Sequence, residues 1–328
     1  MKVLYIGGTG EISYSCVLAG AAAGQEVWVY NRGRNDEPLP PTVGRIVGDL
    51  ADDAAYARLG QQRWDVVCQM KAYDMPAIER DLAVFGGKVG QYVFISSASA
   101  YQKPPTSYVI TERTPLANPY WAYSRAKAAM ETRLMEAHRA GAMNVTIVRP
   151  SHTVRRNFPG IVIGGDHVAW RMLNGRAVVI HGDGTSLWTL THADDFAAPF
   201  VRLLGNARAM GEAFHITRHM EAYTWNQIAQ AMAGALGVQP RWVRVATDTL
   251  VRYNGDWTGP LLGDKTWSVM FDNSKVMDVA GPFRCVIGLE AIMERVAGHY
   301  RRRAASYAPD EKLHALMDRI ASEQERLG

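Results

Sequence analysis

Apolar positions along the chain come in short runs, separated by stretches in which they recur at helical spacing. Val3-Leu4-Tyr5-Ile6 opens the first run, so Lys2–Gly7 reads as a strand. An Ala-rich helical stretch follows to Gly24, and Glu26–Asn31 alternates as a second strand. A Pro-rich loop (Pro38, Pro40, Pro41) leads to a third strand over Gly44–Gly48. Trp64–Met70 is apolar almost throughout, as a strand covered on both faces should be. A helix over Pro76–Phe85 precedes a fifth strand, Gln91–Ser97. Pro119–Ala140, rich in Ala, Met, Glu and Arg, predicts one long helix, and Asn144–Arg149 a sixth strand. Strands alternating with helices predict an α/β fold of Rossmann type, a doubly wound parallel sheet with right-handed crossovers.

The second half is less regular. Thr191-His-Ala-Asp194 reads as a helix cap with Asp194 at the third helical position, which gives Asp194 and Asp195 a structural role. Glu212–Thr217 returns as a strand to the main sheet, and Thr224-Trp-Asn-Gln227 caps a helix ending near Gly237. Arg241–Ala246 alternates as a strand, while Gly288–Tyr300 and Glu311–Arg326 read as helices. Trp225, Trp242, Trp257 and Trp267 are expected in core packing, with a pocket lining as the alternative. The pattern divides the chain into a dinucleotide-binding part, 1–150 and about 186–217, and a smaller substrate-binding part, about 151–185 and 218–328.

Composition narrows this little. The 328 residues are 48% hydrophobic and 21% charged, an ordinary globular balance. A net charge of +4 admits anionic ligands without requiring nucleic acid. No apolar run reaches the length of a membrane span, and the first strand begins too early for a signal peptide, so a cytoplasmic location is expected. Cys16, Cys68 and Cys285 lack metal-ligand spacing and read as buried thiols; no metal is expected.

Chemistry enters at the strand ends. Gly7-Gly8-Thr9-Gly10-Glu11-Ile12-Ser13 places glycines at a strand-to-helix turn, where the backbone approaches a pyrophosphate and the helix N-terminus favours its charge. Asn31-Arg32-Gly33-Arg34 ends the second strand. A neutral Asn31 with Arg32 and Arg34 beside it suits a 2′-phosphate, so NADP is expected over NAD; solvated loop arginines are the alternative. Asp49 is either an adenine-side contact or the N-cap of the next helix, and Lys71 either meets cofactor or lies on the surface. On the long helix, Tyr123 and Lys127 stand four apart and share a face. Lowering a phenol pKa by about three units needs about 4 kcal/mol of phenolate stabilisation, which a desolvated ammonium with a cationic nicotinamide can supply.

The glycine turn, Ser97 after the fifth strand and Tyr123-x-x-x-Lys127 resemble the short-chain dehydrogenase/reductase superfamily. Phe94-Ile-Ser-Ser-Ala-Ser-Ala-Tyr101, Gly182-Asp-Gly-Thr185 and His192-Ala-Asp-Asp-Phe196 are similar to its extended NAD-dependent epimerase/dehydratase branch, and the chain also resembles chloroplast stem-loop RNA-binding proteins. The resemblance implies that Ser97 bonds the reacting oxygen, Tyr123 moves its proton, and Lys127 holds the nicotinamide ribose while lowering the tyrosine pKa. Ser96 or Ser99 remain alternatives to Ser97. Cofactor contacts are implied at Gly7, Gly10, Glu11, Ile12, Asn31, Arg32, Asp49, Lys71, Tyr123, Lys127 and Pro150, substrate contacts at Ser99, His152 and Trp188, and a homodimer.

Two departures bear on the substrate. His152 stands where nucleotide-sugar enzymes of the resembled family carry an asparagine; it either binds substrate, serves as a second acid/base, or is structural. Trp188 stands where they carry a phosphate-clamping arginine, and a tryptophan only stacks or fills space. Arg155 and Arg156 read as solvated loop charges, with an anionic substrate as the alternative. The leading expectation is an NAD(P)-dependent oxidoreductase acting on the secondary alcohol or ketone of a small or sugar-like molecule. A sugar epimerase or dehydratase, and an RNA-binding protein reusing the fold, are the alternatives.

Overall fold

The computed structural model describes residues 1–34 and 37–327. Seven strands form the central sheet: β1 Lys2–Ile6, β2 Glu26–Asn31, β3 Gly44–Val47, β4 Trp64–Gln69, β5 Val89–Ile95, β6 Val145–Pro150 and β7 Glu212–Ile216. Their spatial order is β7-β6-β5-β4-β1-β2-β3, with every neighbouring pair parallel. The order reverses beside β1, and in such sheets ligands bind at the carboxyl edge of that switch point. In register, Ile6 lies between Tyr30 and Gln69, which brings the ends of β2, β1 and β4 to one edge.

Alternation along the strands sends side chains to two helical layers. On one face Val3, Tyr5, Val27 and Val66 pack on Cys16, Val17, Phe196 and Phe200, from helices α1 (Ser13–Ala22) and, further on, Ala193–Leu203. On the other, Leu4, Ile6, Val67 and Phe94 meet α2 (Asp53–Ala57), α3 (Met75–Phe85) and α4 (Ala122–Arg139), through Tyr56, Ile78, Phe85, Met130 and Leu134. Fully covered faces explain why these strands read as nearly continuous apolar runs. A separate core joins Val168, Ile180, Ile228, Met232, Val243, Ile292 and Met317 from the later chain with Tyr101 and Ile110 from the segment after β5.

Several expectations shift in detail. The long helix starts at Ala122, because the residues from Pro119 to Trp121 stay extended or turned. The helix after β3 is capped by Asp52, whose side chain accepts from Ala55 N, and Asp49 lies outside it. His192 caps Ala193–Leu203 by accepting from Asp194 N, in place of Thr191. Asp194 accepts from the Ser15 hydroxyl, and Asp195 accepts from the amides of Val286 and Ile287. The Thr224–Gln227 capping box forms, and Gly237 ends its helix in the left-handed conformation. All three cysteines are buried and free, and no helix among the described residues is long and apolar enough to cross a membrane.

Candidate functional site

Two cavities open at the carboxyl edge of the sheet. The larger, about 1120 Å³, is floored by the turn after β1. Gly7 and Gly8 hold φ values of 110° and 83°, and a Cβ on Gly8 would lie 2.5 Å from Val29 Cγ1, so this tight turn requires glycine. It feeds α1, whose first turn has neither a side-chain cap nor an acidic residue. An anion placed there meets the positive end of the helix dipole. Ser13, at the position of a third glycine, accepts from Gly10 N at 2.9 Å and tightens the loop.

Asn31, Arg32, Arg34, Asp49 and Lys71 line the same cavity. The Asn31 amide is engaged structurally, donating to Gly7 O and accepting from Gly33 N, so it fixes the loop that presents Arg32. Asp49 accepts from Ala51 N and through its carbonyl from Tyr30. Lys71 lays its stem over Gly7, 3.1 Å from where a Cβ would stand. A flat, anionic dinucleotide fits these residues: a glycine turn, an uncapped helix N-terminus and flanking cations share one cavity.

Glu11 and Ile12 turn elsewhere. The Glu11 carboxylate accepts from the amides of Arg155, Arg156 and Asn157, and Ile12 packs on the core beside the sheet. Their side chains therefore do not line the cavity, although their place in the turn is as expected. Arg155 likewise corrects the reading as a solvated charge. It is buried, pairs with both oxygens of Glu37 (2.6 and 2.5 Å) and stacks over Tyr14. Arg156 pairs with Glu37 at 3.3 Å and Glu11 at 3.6 Å. The wall opposite the glycine turn is thus held by an ion-pair bridge that the one-dimensional pattern did not disclose.

The smaller cavity, about 270 Å³, gathers Ser97, Ser99, Lys103, Trp121, Tyr123, Pro150, His152, Trp188 and Asp264. Pro150 falls here, at the end of β6, and not in the larger cavity. Tyr123 occupies the first turn of α4, its ring 5.1 Å from Trp121, and its hydroxyl shares the cavity with Ser97, which lowers its pKa. Hydroxyls continue behind: Ser97 Oγ lies 2.9 Å from Ser99 Oγ, which accepts from the Ser124 hydroxyl at 2.8 Å. Ser96 is different. Its hydroxyl is buried without a partner and does not face the cavity.

Lys127 lies one turn beyond Tyr123 and donates to the carbonyls of Ala72 and Ile95, both at 2.8 Å, at the ends of β4 and β5. Its ammonium is 5.7 Å from the Tyr123 ring centroid. Burial pulls the lysine down to about 7, with Glu131 pulling the other way. The expected lowering of the Tyr123 pKa is not what the protein groups alone produce. Burial pushes that phenol up to about 12, Ser97 lowers it, and Asp264 raises it. Desolvation outweighs the lysine because the ammonium bonds to carbonyls rather than to the phenol.

Burial, with the nearby Lys265, pulls His152 down to about 3, which favours its neutral form at neutral pH. Trp188 is buried between His152 (6.3 Å) and Trp225 (5.5 Å), filling space as its chemistry dictates. Three features escaped sequence reasoning. Glu131, one turn past Lys127, forms a buried bidentate pair with Arg149 (2.6 Å at its shortest), which also donates to Tyr101. Lys103 and Asp264 enter the cavity from distant segments; burial lowers the first and raises the second to about 6. An i, i+4 Lys/Glu spacing was the available signal for Glu131. Nothing local marked the other two.

Comparison with known proteins agrees with this geometry. Residues 3–217 match the NAD dependent epimerase/dehydratase family. The chain is 30% identical over 244 residues to 2'-dehydrokanamycin reductase of Streptomyces kanamyceticus, covering 72% of this chain and 67% of that protein. It is 27% identical over 252 residues to a 41 kDa chloroplast stem-loop binding protein of Arabidopsis thaliana, covering 72% and 63%. The solved structure of epimerase Mth375 from Methanothermobacter thermautotrophicus superposes with a TM-score of 0.75 at 16% identity, over 93% of each chain. With a Rossmann-type sheet, a glycine turn at its switch point and a family match over most of that sheet, the chain belongs to the NAD dependent epimerase/dehydratase family of enzymes.

Proposed function

We propose that this enzyme is an NADP(H)-preferring oxidoreductase that interconverts a ketone and a secondary alcohol on a small, sugar-like molecule. The observation carrying the reading is that Ser97 and Tyr123 line one cavity, while Lys127, one helical turn behind Tyr123, is bonded to Ala72 O beside the Lys71 that lines the other. When bound, the nicotinamide cofactor supplies or accepts the hydride, and its oxidised ring brings one positive charge. In ketone reduction Tyr123 gives its hydroxyl proton to the substrate oxygen, and Ser97 donates a hydrogen bond to that same oxygen. A phenol held near 12 is a willing proton keeper; its conversion to phenolate requires positive charge close by, which Lys127 contributes. Half-buried Trp121 and buried Trp188 line the cavity and limit the access of water to the reacting pair.

Arg32 and Arg34 support the NADP preference: both line the larger cavity, and no ion pair engages either among the described residues. RNA binding is not favoured. In the basic run Arg301 donates to Ala235 O, Arg302 to His299, and Arg303 pairs with Asp166, while Arg302 and Arg303 also line the larger cavity, so the run is engaged by this protein's own structure.

The test is a search for net redox turnover on a panel of sugar and cyclitol ketones with NADPH and NADH, together with assay of nicotinamide released on denaturation. Net turnover is expected, with NADPH favoured about tenfold or more and that preference lost in Arg32→Ala. Abundant bound NAD released without net redox turnover would instead identify an epimerase.

A further inference from the structure

The smaller cavity holds two charged side chains that the proton chemistry leaves unused. Lys103 is 4% exposed and yet lines the cavity. Asp264 lines it from a π-helical turn, Leu261–Lys265, a rare geometry that tends to occur at functional sites. Asn118 fastens this turn to the catalytic loop, its amide donating to Gly263 O at 2.6 Å and Ser99 O at 2.7 Å. Trp121 packs beneath, so close that a Cβ on Gly259 would lie 2.3 Å from its ring. Asp264 is thus held on the same cavity as Ser99 and Tyr123, and its charge acts on the Tyr123 phenol.

Lys103 and Asp264 influence each other electrostatically, yet no nitrogen–oxygen contact between them falls within 4.0 Å. Neither side chain has a hydrogen-bond partner among the described residues. Opposite charges therefore face one cavity across a gap, where a bound group can bond to both. A group that fills the gap must donate to the carboxylate and accept from the ammonium. A hydroxyl does both. A phosphate or carboxylate would meet Lys103 but repel Asp264, and an ammonium would do the reverse. No arginine lines this cavity among the described residues, and its 270 Å³ lies at the small end for ligand pockets.

Resting on the oxidoreductase reading above, we propose that Lys103 and Asp264 clamp one hydroxyl of the substrate between them, selecting a neutral polyhydroxylated ring, a monosaccharide or cyclitol without a nucleoside diphosphate. The clamp sets the ring's orientation, so that a neighbouring carbon faces Tyr123.

The test is equilibrium binding to the NADP⁺-saturated protein, read by tryptophan fluorescence. Probes are myo-inositol and the methyl glycosides of glucose, galactose and mannose, with glucosamine, glucuronate, UDP-glucose and cyclohexanol for comparison. A neutral polyol is expected to bind tightest. Lys103→Met and Asp264→Asn are each expected to weaken it about tenfold or more, the value of hydrogen bonds to charged groups. Because one hydroxyl engages both, the double variant should lose little more than the worse single one, a coupling that general damage to the fold would not produce. Unchanged NADP⁺ affinity in all variants verifies the fold. Tightest binding by a charged, nucleotide-bearing or apolar probe, no binding by any neutral polyol, or full affinity in either variant would overturn the clamp. Binding is read without turnover, so the clamp and the Tyr123 assignment stand or fall separately.

Discussion

The floor of the larger cavity is a backbone turn, whereas the smaller cavity is made mostly of side chains. At the first, consecutive residues at the ends of β1 and β2 shape the floor: Gly7 and Gly8 through positive φ, Asn31 through bonds to the main chain of Gly7 and Gly33. Around the second, Ser97 with Lys103, Tyr123, His152, Trp188 and Asp264 arrive from five stretches of chain and meet only after folding. A backbone site tolerates any side chain that keeps the turn. A side-chain site depends on every element beneath it holding position.

That difference is open to attack from the packing under the smaller cavity. The deepest support is Glu131–Arg149, which ties α4 to β6. Glu131→Gln leaves a buried guanidinium without its countercharge and is expected to cost about 3–5 kcal/mol in urea unfolding. If stability barely changes, the side-chain site is less dependent on its foundation than described.

A smaller effect comes from Lys127. Its amine is held down to about 7 against an ordinary 10.5, so between those values the unfolded chain carries a proton that the native state has released. Stability from this group therefore rises with pH across that window and is lost as pH falls through the folded value. Lys127→Met should remove the rise between about pH 7 and about pH 9 in urea midpoints, relative to wild type. Parallel pH profiles would show that the buried amine is not the origin.

The smallest effect is expected at Ser96. Its hydroxyl is buried without a partner, so Ser96→Ala should change stability and turnover little or slightly raise stability. Ser97→Ala should lower turnover sharply, since that side chain lines the cavity with Tyr123 and influences its phenol. Equal losses in both would assign the role wrongly.

How much of this was legible follows the same division. Strand and helix periodicity showed the sheet and its wrapping helices, because alternation and 3.6-residue spacing are local properties. The glycine turn, the Tyr123/Lys127 face and Ser97 carried chemistry in short spacings. Helix starts slipped by a few residues where capping was settled by neighbours: Asp52 instead of Asp49, His192 instead of Thr191. Arg155 looked solvated because its partner, Glu37, lies 118 residues away. Asp264 and Lys103 were invisible for the same reason, since a cavity lining assembled by tertiary contacts leaves no period in the chain.

The central claim is that the Tyr123 hydroxyl carries the proton. Single-turnover reduction of an identified ketone by NADPH-loaded protein, comparing wild type with Tyr123→Phe, tests it most directly. The account predicts a loss on the order of 10²–10⁴-fold in the reduction step with cofactor affinity preserved. A Tyr123→Phe enzyme that reduces the ketone within about threefold of the wild-type rate would contradict it, because an essential acid cannot be removed so cheaply.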